Sequence, residues 1–227
     1  LASSGTLSFS TAGTTGNVDL DNGTTALTLG TSSVGGTFTA VNNNVSGIAV
    51  NGQIDTSAAD GLITLTATTG NIALADIDSV LNAGAGGVTL SAAAGTITAA
   101  EVTGDGGVEI QTSGTVDLTA QAIGTTANTV SISDASALTI SDTGGGSTSE
   151  INLEELTAST IAVTTITVAN STSGTIDVNY FDGDLIDIND AHAINSVIHS
   201  SFDRDFSYTA TTGNITVAEN GISTGAG

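Results

Sequence analysis

Gly61-Leu62-Ile63-Thr64-Leu65-Thr66-Ala67-Thr68-Thr69-Gly70-Asn71-Ile72-Ala73-Leu74 contains the unit that decides the fold. A glycine leads into an apolar-polar-apolar triplet, a short polar stretch follows, and a Gly-Asn turn opens a second triplet. The same frame returns in Gly87-Val88-Thr89-Leu90-Ser91-Ala92-Ala93-Ala94-Gly95-Thr96-Ile97-Thr98 and in Gly107-Val108-Glu109-Ile110-Gln111-Thr112-Ser113-Gly114-Thr115-Val116-Asp117-Leu118. Apolar spacing of two is the signature of a half-buried strand, and β-branched residues dominate these triplets, so helix is not a contender. Each unit reads as two short strands and two turns.

Working outward, first triplets begin at Ile63, Val88, Val108, Val130 and Ile151, and second triplets at Ile72, Ile97, Val116, Leu138 and Ile161. Both series advance by roughly twenty-two residues, within the range that marks solenoids. A third apolar point follows at Ile77, Val102, Ile123 and Leu156. Three short strands per turn and a roughly triangular cross-section are therefore expected. The predicted fold is all-β, a right-handed parallel β-helix with coils of about 20–25 residues. The alternative is an antiparallel β-sandwich, whose strands also recur at short intervals between turn signals. Strands of three to five residues and the lack of an aromatic anchor oppose it.

Composition favours the thin core. Aromatics are 3% of the chain, and Met, Trp, Cys and Pro are absent. A thick globular centre fills irregular space with such side chains, whereas stacked coils need only Val, Ile, Leu and Ala in register. Disorder is disfavoured because 39% of the residues are hydrophobic, enough to drive burial.

Units such as Gly61 to Leu74, Gly87 to Thr98 and Gly107 to Leu118 resemble the repeats of large bacterial surface proteins of the filamentous-haemagglutinin and repetitive-adhesin kind. The resemblance covers residues 60–170 and 206–221. It implies parallel β-helices that work as stalks, fibres or adhesins, and it brings no catalytic residues with it. The motif Thr66-Ala67-Thr68-Thr69-Gly70-Asn71-Ile72 recurs unchanged from Thr209 to Ile215, so the array is expected to resume there. The expected organisation is solenoid repeats over 1–175, least regular in 1–60, then a distinct segment over 176–208, and a final repeat with a flexible tail over 209–227.

Charge narrows the partners. Twenty-three acids face a single Lys or Arg, for a net charge of −22, which repels nucleic acid and acidic lipid. Divalent cations or a basic surface are better partners. No apolar run approaches the ~20 residues of a membrane helix, so no membrane insertion is expected. The absence of Cys fits a secreted bacterial protein stabilised by repetition, and the missing initiator Met and signal peptide point to a processed product or excised piece. The expected location is the extracellular cell surface.

The segment 176–208 holds both Tyr, both His and the only Arg. Tyr180, Phe181, Phe202, Arg204, Phe206 and Tyr208 are candidate interface residues, because aromatics and Arg are favoured at interfaces; a capping coil is the plainer reading. Asp182, Asp184, Asp187, Asn189 and Asp190 form a dense run of oxygen donors of the kind calcium takes, without the spacing of an EF-hand. His192 and His199 lack a third ligand and read as surface or interface residues.

Function is then expected to be structural: an extracellular subunit or adhesin in a fibre, sheath or surface layer, self-associating and meeting a host or cell-surface ligand. The first alternative is a carbohydrate-active β-helix enzyme. One Arg, no Lys and no Trp leave little for binding acidic polysaccharide or stacking sugars, and the two His stand near no recognisable Ser motif, so no catalytic residue is expected. The second alternative is ice binding, through outward Thr such as those of Thr37-Phe38-Thr39 and Thr64-Leu65-Thr66; these triplets do not recur at one fixed coil position in the sequence.

Overall fold

The computed structural model describes residues 1–100, 102, 107–125, 127–143, 148–156, 162–168, 175–182, 191–194, 197–198, 214–217 and 222–223. Short parallel strands stack on one another, three to a turn, as a β-solenoid. Among the described residues every strand pairing is parallel and no α-helix occurs, which excludes the antiparallel sandwich.

The first face stacks Val18–Asp21, Phe38–Asn42, Ile63–Ala67, the opening of Val88–Ala99, Thr115–Ile123 and Ala137–Asp142. Their leading inward residues Val18, Phe38, Ile63, Val88, Val116 and Leu138 stand in one column, so five successive turns take 20, 25, 25, 28 and 22 residues. The second face stacks Leu27–Leu29, Ile48–Val50, Ile72–Leu74 and the end of Val88–Ala99, whose column continues through Ile123 to Ile151. The third stacks Ser32–Ser33, Ile54–Asp55, Leu81–Gly84, Ile110–Thr112 and Val130–Ser133. The long strand Val88–Ala99 serves two faces, pairing with Ile63–Ala67 at its start and Ile72–Leu74 at its end. Stacking runs on through Thr148–Glu155 to Thr175–Asp182, a strand that spans the position where a change of organisation is expected.

Alternation within each triplet sends every second side chain inward. Leu65, Leu90, Ile72, Ile97, Ile54, Leu81 and Ile110 have no exposed surface. Burying each such side chain contributes about 1.5–3 kcal/mol. Because a turn contacts only its neighbours, that stabilisation is local and additive along the stack. Phe38 is the one aromatic of the described core, packed edge-on to Phe9 with ring centroids 5.8 Å apart.

The corners explain much of the glycine and asparagine content. Gly47, Gly70 and Gly95 follow one another at the turn between the first and second faces, where backbones of adjacent turns approach too closely for a side chain. A Cβ on Gly95 would collide with the Gly70 carbonyl. The preceding residues of this corner hold buried amides. Asn22 Nδ2 donates to the Thr25 carbonyl at 2.9 Å, and Asn42 Nδ2 reaches the same carbonyl at 2.6 Å, which ties two turns together. Both asparagines have no exposed surface, and these bonds satisfy amides that would otherwise be costly to bury.

The two expected triplet series cross faces after Val88 and Ile97. Val108 lies outside any strand and is half-buried. Val130 stands in the third face opposite Leu153, and Ile151 in the second opposite Ile123. Val116 and Leu138, expected to follow Ile97, continue the first face below Val88; Ile161 lies outside the described residues. Among the expected third points, Ile77 and Val102 are exposed, at 65% and 59%, and the third column is instead Ile54, Leu81, Ile110 and Ile132. Corner length is the cause: the chain spends few residues between Ala92 and Ile97 but many between Ala99 and Ile110, so equal steps in sequence do not return to the same face.

Candidate functional site

A solenoid's outward positions are its working surface, because its core is too thin to hold a ligand. On the first face these positions form two columns. Below Asp19 come Thr39, Thr64, Thr89, Asp117 and Thr139, in register in one, and below Asp21 come Val41, Thr66, Ser91, Thr119 and Ser141 in the other. All ten from Thr39 to Ser141 are half-buried, each packed between its neighbours above and below. The Thr-containing triplets therefore do share a coil position: Phe38 stacks on Ile63, which sets Thr39 over Thr64. Matching the triplets by their first Thr hides this, because it places Thr37 over Thr64.

The third face differs. Its outward column runs Ser33, Asp55, Asn82, Gln111 and Ser133, and beside it lies a groove of about 450 Å³ lined by Asn82, Gly84, Gln111, Thr112, Ser113 and Asp134. On this face polar side chains at positions that alternate with the aliphatic core are themselves buried. Glu109 is 1% exposed and its Oε2 accepts the Ser131 backbone N–H at 2.7 Å; Glu154 is 3% exposed and accepts the Thr129 hydroxyl at 3.1 Å. Ser131 stands opposite Glu154 in the ladder, so both acids and both hydroxyls belong to consecutive turns.

No protein-family model, no curated protein and no solved structure matches this chain. What the chain can do therefore follows from the surfaces themselves.

Of the calcium candidates, Asp182 closes the strand Thr175–Asp182 opposite Glu155, while Asp184, Asp187, Asn189 and Asp190 lie outside the described residues. Among the interface candidates, Tyr180 and Phe181 lie in that same strand, opposite Leu153 and Glu154; Phe202, Arg204, Phe206 and Tyr208 lie outside the described residues. His192 is in the strand Ala191–Ile194, opposite Ile215 of the recurring motif, and His199 lies outside the described residues. Among the described residues no group of three or more His, Cys, Asp or Glu is placed to hold a metal ion, and none of their helices is long and apolar enough to cross a membrane.

Sequence reasoning missed the hydroxyl columns, the polar groove and the buried Glu109 and Glu154. The signal for the acids was available: Glu109 and Glu154 each adjoin an apolar strand residue, Ile110 and Leu153, where an outward residue would keep strict alternation. Neither acid sits in an Asp-rich turn like those of Asp76 and Asp78.

Proposed function

We propose that this chain is a length of extracellular structural or adhesive solenoid, catalysing nothing, that belongs to a surface fibre, sheath or layer of the filamentous-haemagglutinin-like kind. The observation that supports this reading is the unbroken registry of one apolar column, Val18 to Leu138, across five turns. Such stacking lengthens a rod at constant width, by about 4.8 Å per turn. It spends its sequence on extension rather than on enclosing a cavity. The acid excess and the absence of Cys and Lys fit an exposed, highly hydrated surface outside the cell. Strand edges at the ends of a stack are templates for further strands, so copies add end to end, with calcium bridging the acidic surfaces.

Negative-stain imaging of the purified chain, with and without calcium, tests the reading. Rods of uniform width that lengthen on adding calcium are expected. Compact particles of one size in both conditions would overturn the fibre assignment, and release of reducing sugars from a polysaccharide panel would favour the enzyme alternative instead.

A further inference from the structure

The geometry points to a second property of the first face: it is an ice-binding surface, whose ligand is the water lattice of crystalline ice. Eight of its ten outward positions between Thr39 and Ser141 are Thr or Ser, and they repeat in two directions at once. Along the stack the repeat is about 4.8 Å, and across it, from residue i to i+2 of a strand, about 6.6 Å. Oxygen rows on the faces of hexagonal ice repeat on this same scale.

Three further features select this ligand. Among the described residues, no protein group bonds the hydroxyls of Thr64, Thr66, Thr89, Ser91 or Thr119, which leaves them for water. Thr is stiff at χ1, and half-burial between neighbours restricts it further, so rows of hydroxyls and methyls are ordered before any ligand arrives. Waters bridging such rows lose less freedom on joining a lattice than waters on a mobile surface do. The array from Thr39 to Ser141 is also nearly uncharged: Asp117 is the single acid among its ten positions, and Asp19 and Asp21 carry charge only at the turn above it, in a chain whose net charge is −22. A cation would seek the acids elsewhere, and a sugar chain would find no aromatic platform on this face. A neutral, periodic partner made only of hydrogen-bond donors and acceptors fits what is there.

Ice-affinity partitioning and thermal hysteresis of the whole chain test the proposal. Wild-type protein should be taken up into a growing ice hemisphere and should hold the freezing point below the melting point. The double variant Thr64→Tyr/Thr89→Tyr should be excluded from ice like an inert protein, whereas Gln111→Tyr, on the third face, should behave as wild type. If the Tyr pair fails to fold, as judged by circular dichroism, Thr64→Val/Thr89→Val keeps the shape while removing the hydroxyls, and it should lose most of the uptake. Exclusion of the wild-type chain from ice, or equal loss in Gln111→Tyr, would overturn the proposal. Binding to crystalline cellulose without uptake into ice would overturn it too, and would assign the face to polysaccharide. Imaging the same preparations keeps the two readings apart, since rods that ignore ice would sink only this one.

Discussion

The first and third faces share one backbone arrangement and differ in almost everything hung on it. Behind the first face the core is mostly aliphatic, from Val18 and Leu20 to Leu138 and Ile140, with the ring of Phe38 and the bonded amides of Asn22 and Asn42 as exceptions, and from Thr39 to Ser141 its outer surface is an ordered array with one acid. On the third, Glu109, Thr129, Ser131 and Glu154 are buried at positions that alternate with the core residues Ile110, Val130, Ile132 and Leu153, and the ladder shifts register between Asn82 and Gly84. Parallel stacking constrains the backbone bonds but tolerates variation in side chain and corner, provided that buried polar groups find partners. The lesson is that the buried acids and the polar groove lie on one side of the solenoid, while the other keeps its register from Val18 to Leu138 and shifts only on the next turn, between Leu138 and Thr139.

That contrast can be broken most severely at Leu90, which is fully buried between Leu65 and Leu118. Nothing in that column can satisfy a carboxylate, so Leu90→Asp should cost more than about 4 kcal/mol, the lost packing adding to the burial of an unpaired charge. A urea transition shifted to much lower concentration, with neighbouring turns losing hydrogen-exchange protection together, is the expected result; wild-type stability would refute the inward assignment.

A smaller effect is expected at the corner, where Gly95→Ala forces a methyl against the Gly70 carbonyl. Overpacking of this kind costs about 1–3 kcal/mol. Gly5, which has open space around its missing Cβ, supplies the matched control in the same thermal melt, and Gly5→Ala should leave it unchanged. The smallest of the three sharpens the third-face side of the comparison. Thr129→Val removes the hydroxyl that donates to Glu154, and weakening a buried polar pair costs about 1–2 kcal/mol. An unchanged denaturation midpoint in this variant would mean that the polar pair is dispensable.

The repeat, the parallel stacking and the inward alternation were legible in the sequence because a triplet fixes parity: Ile63 and Leu65 must share a side opposite to Thr64 and Thr66. Which of three faces a triplet joins is a different quantity, set by the number of residues spent at each corner. Those corners vary in length from turn to turn, so the glycines and side-chain-to-backbone bonds that hold them mark where a corner falls but not which face comes next. Val116 and Leu138 are accordingly recognisable as inward, yet they belong to a different column from the one their spacing suggests. The hydroxyl array was obscured for the same reason, since its members are seen to align only when Phe38 is set on Ile63. The calcium and interface candidates stand out by residue type rather than by placement, and Tyr180, Phe181 and Asp182 are located by backbone pairing alone.

The stacking direction has a mechanical consequence. Pulled from its two ends, a coil of this kind is loaded one winding at a time, like thread leaving a spool. A winding only about 4.8 Å thick releases roughly 80 Å of extended chain when it lets go, at about 3.3 Å for each of its 25 or so residues. Under tension the molecule would therefore dissipate work in many small steps while the remaining windings stay closed.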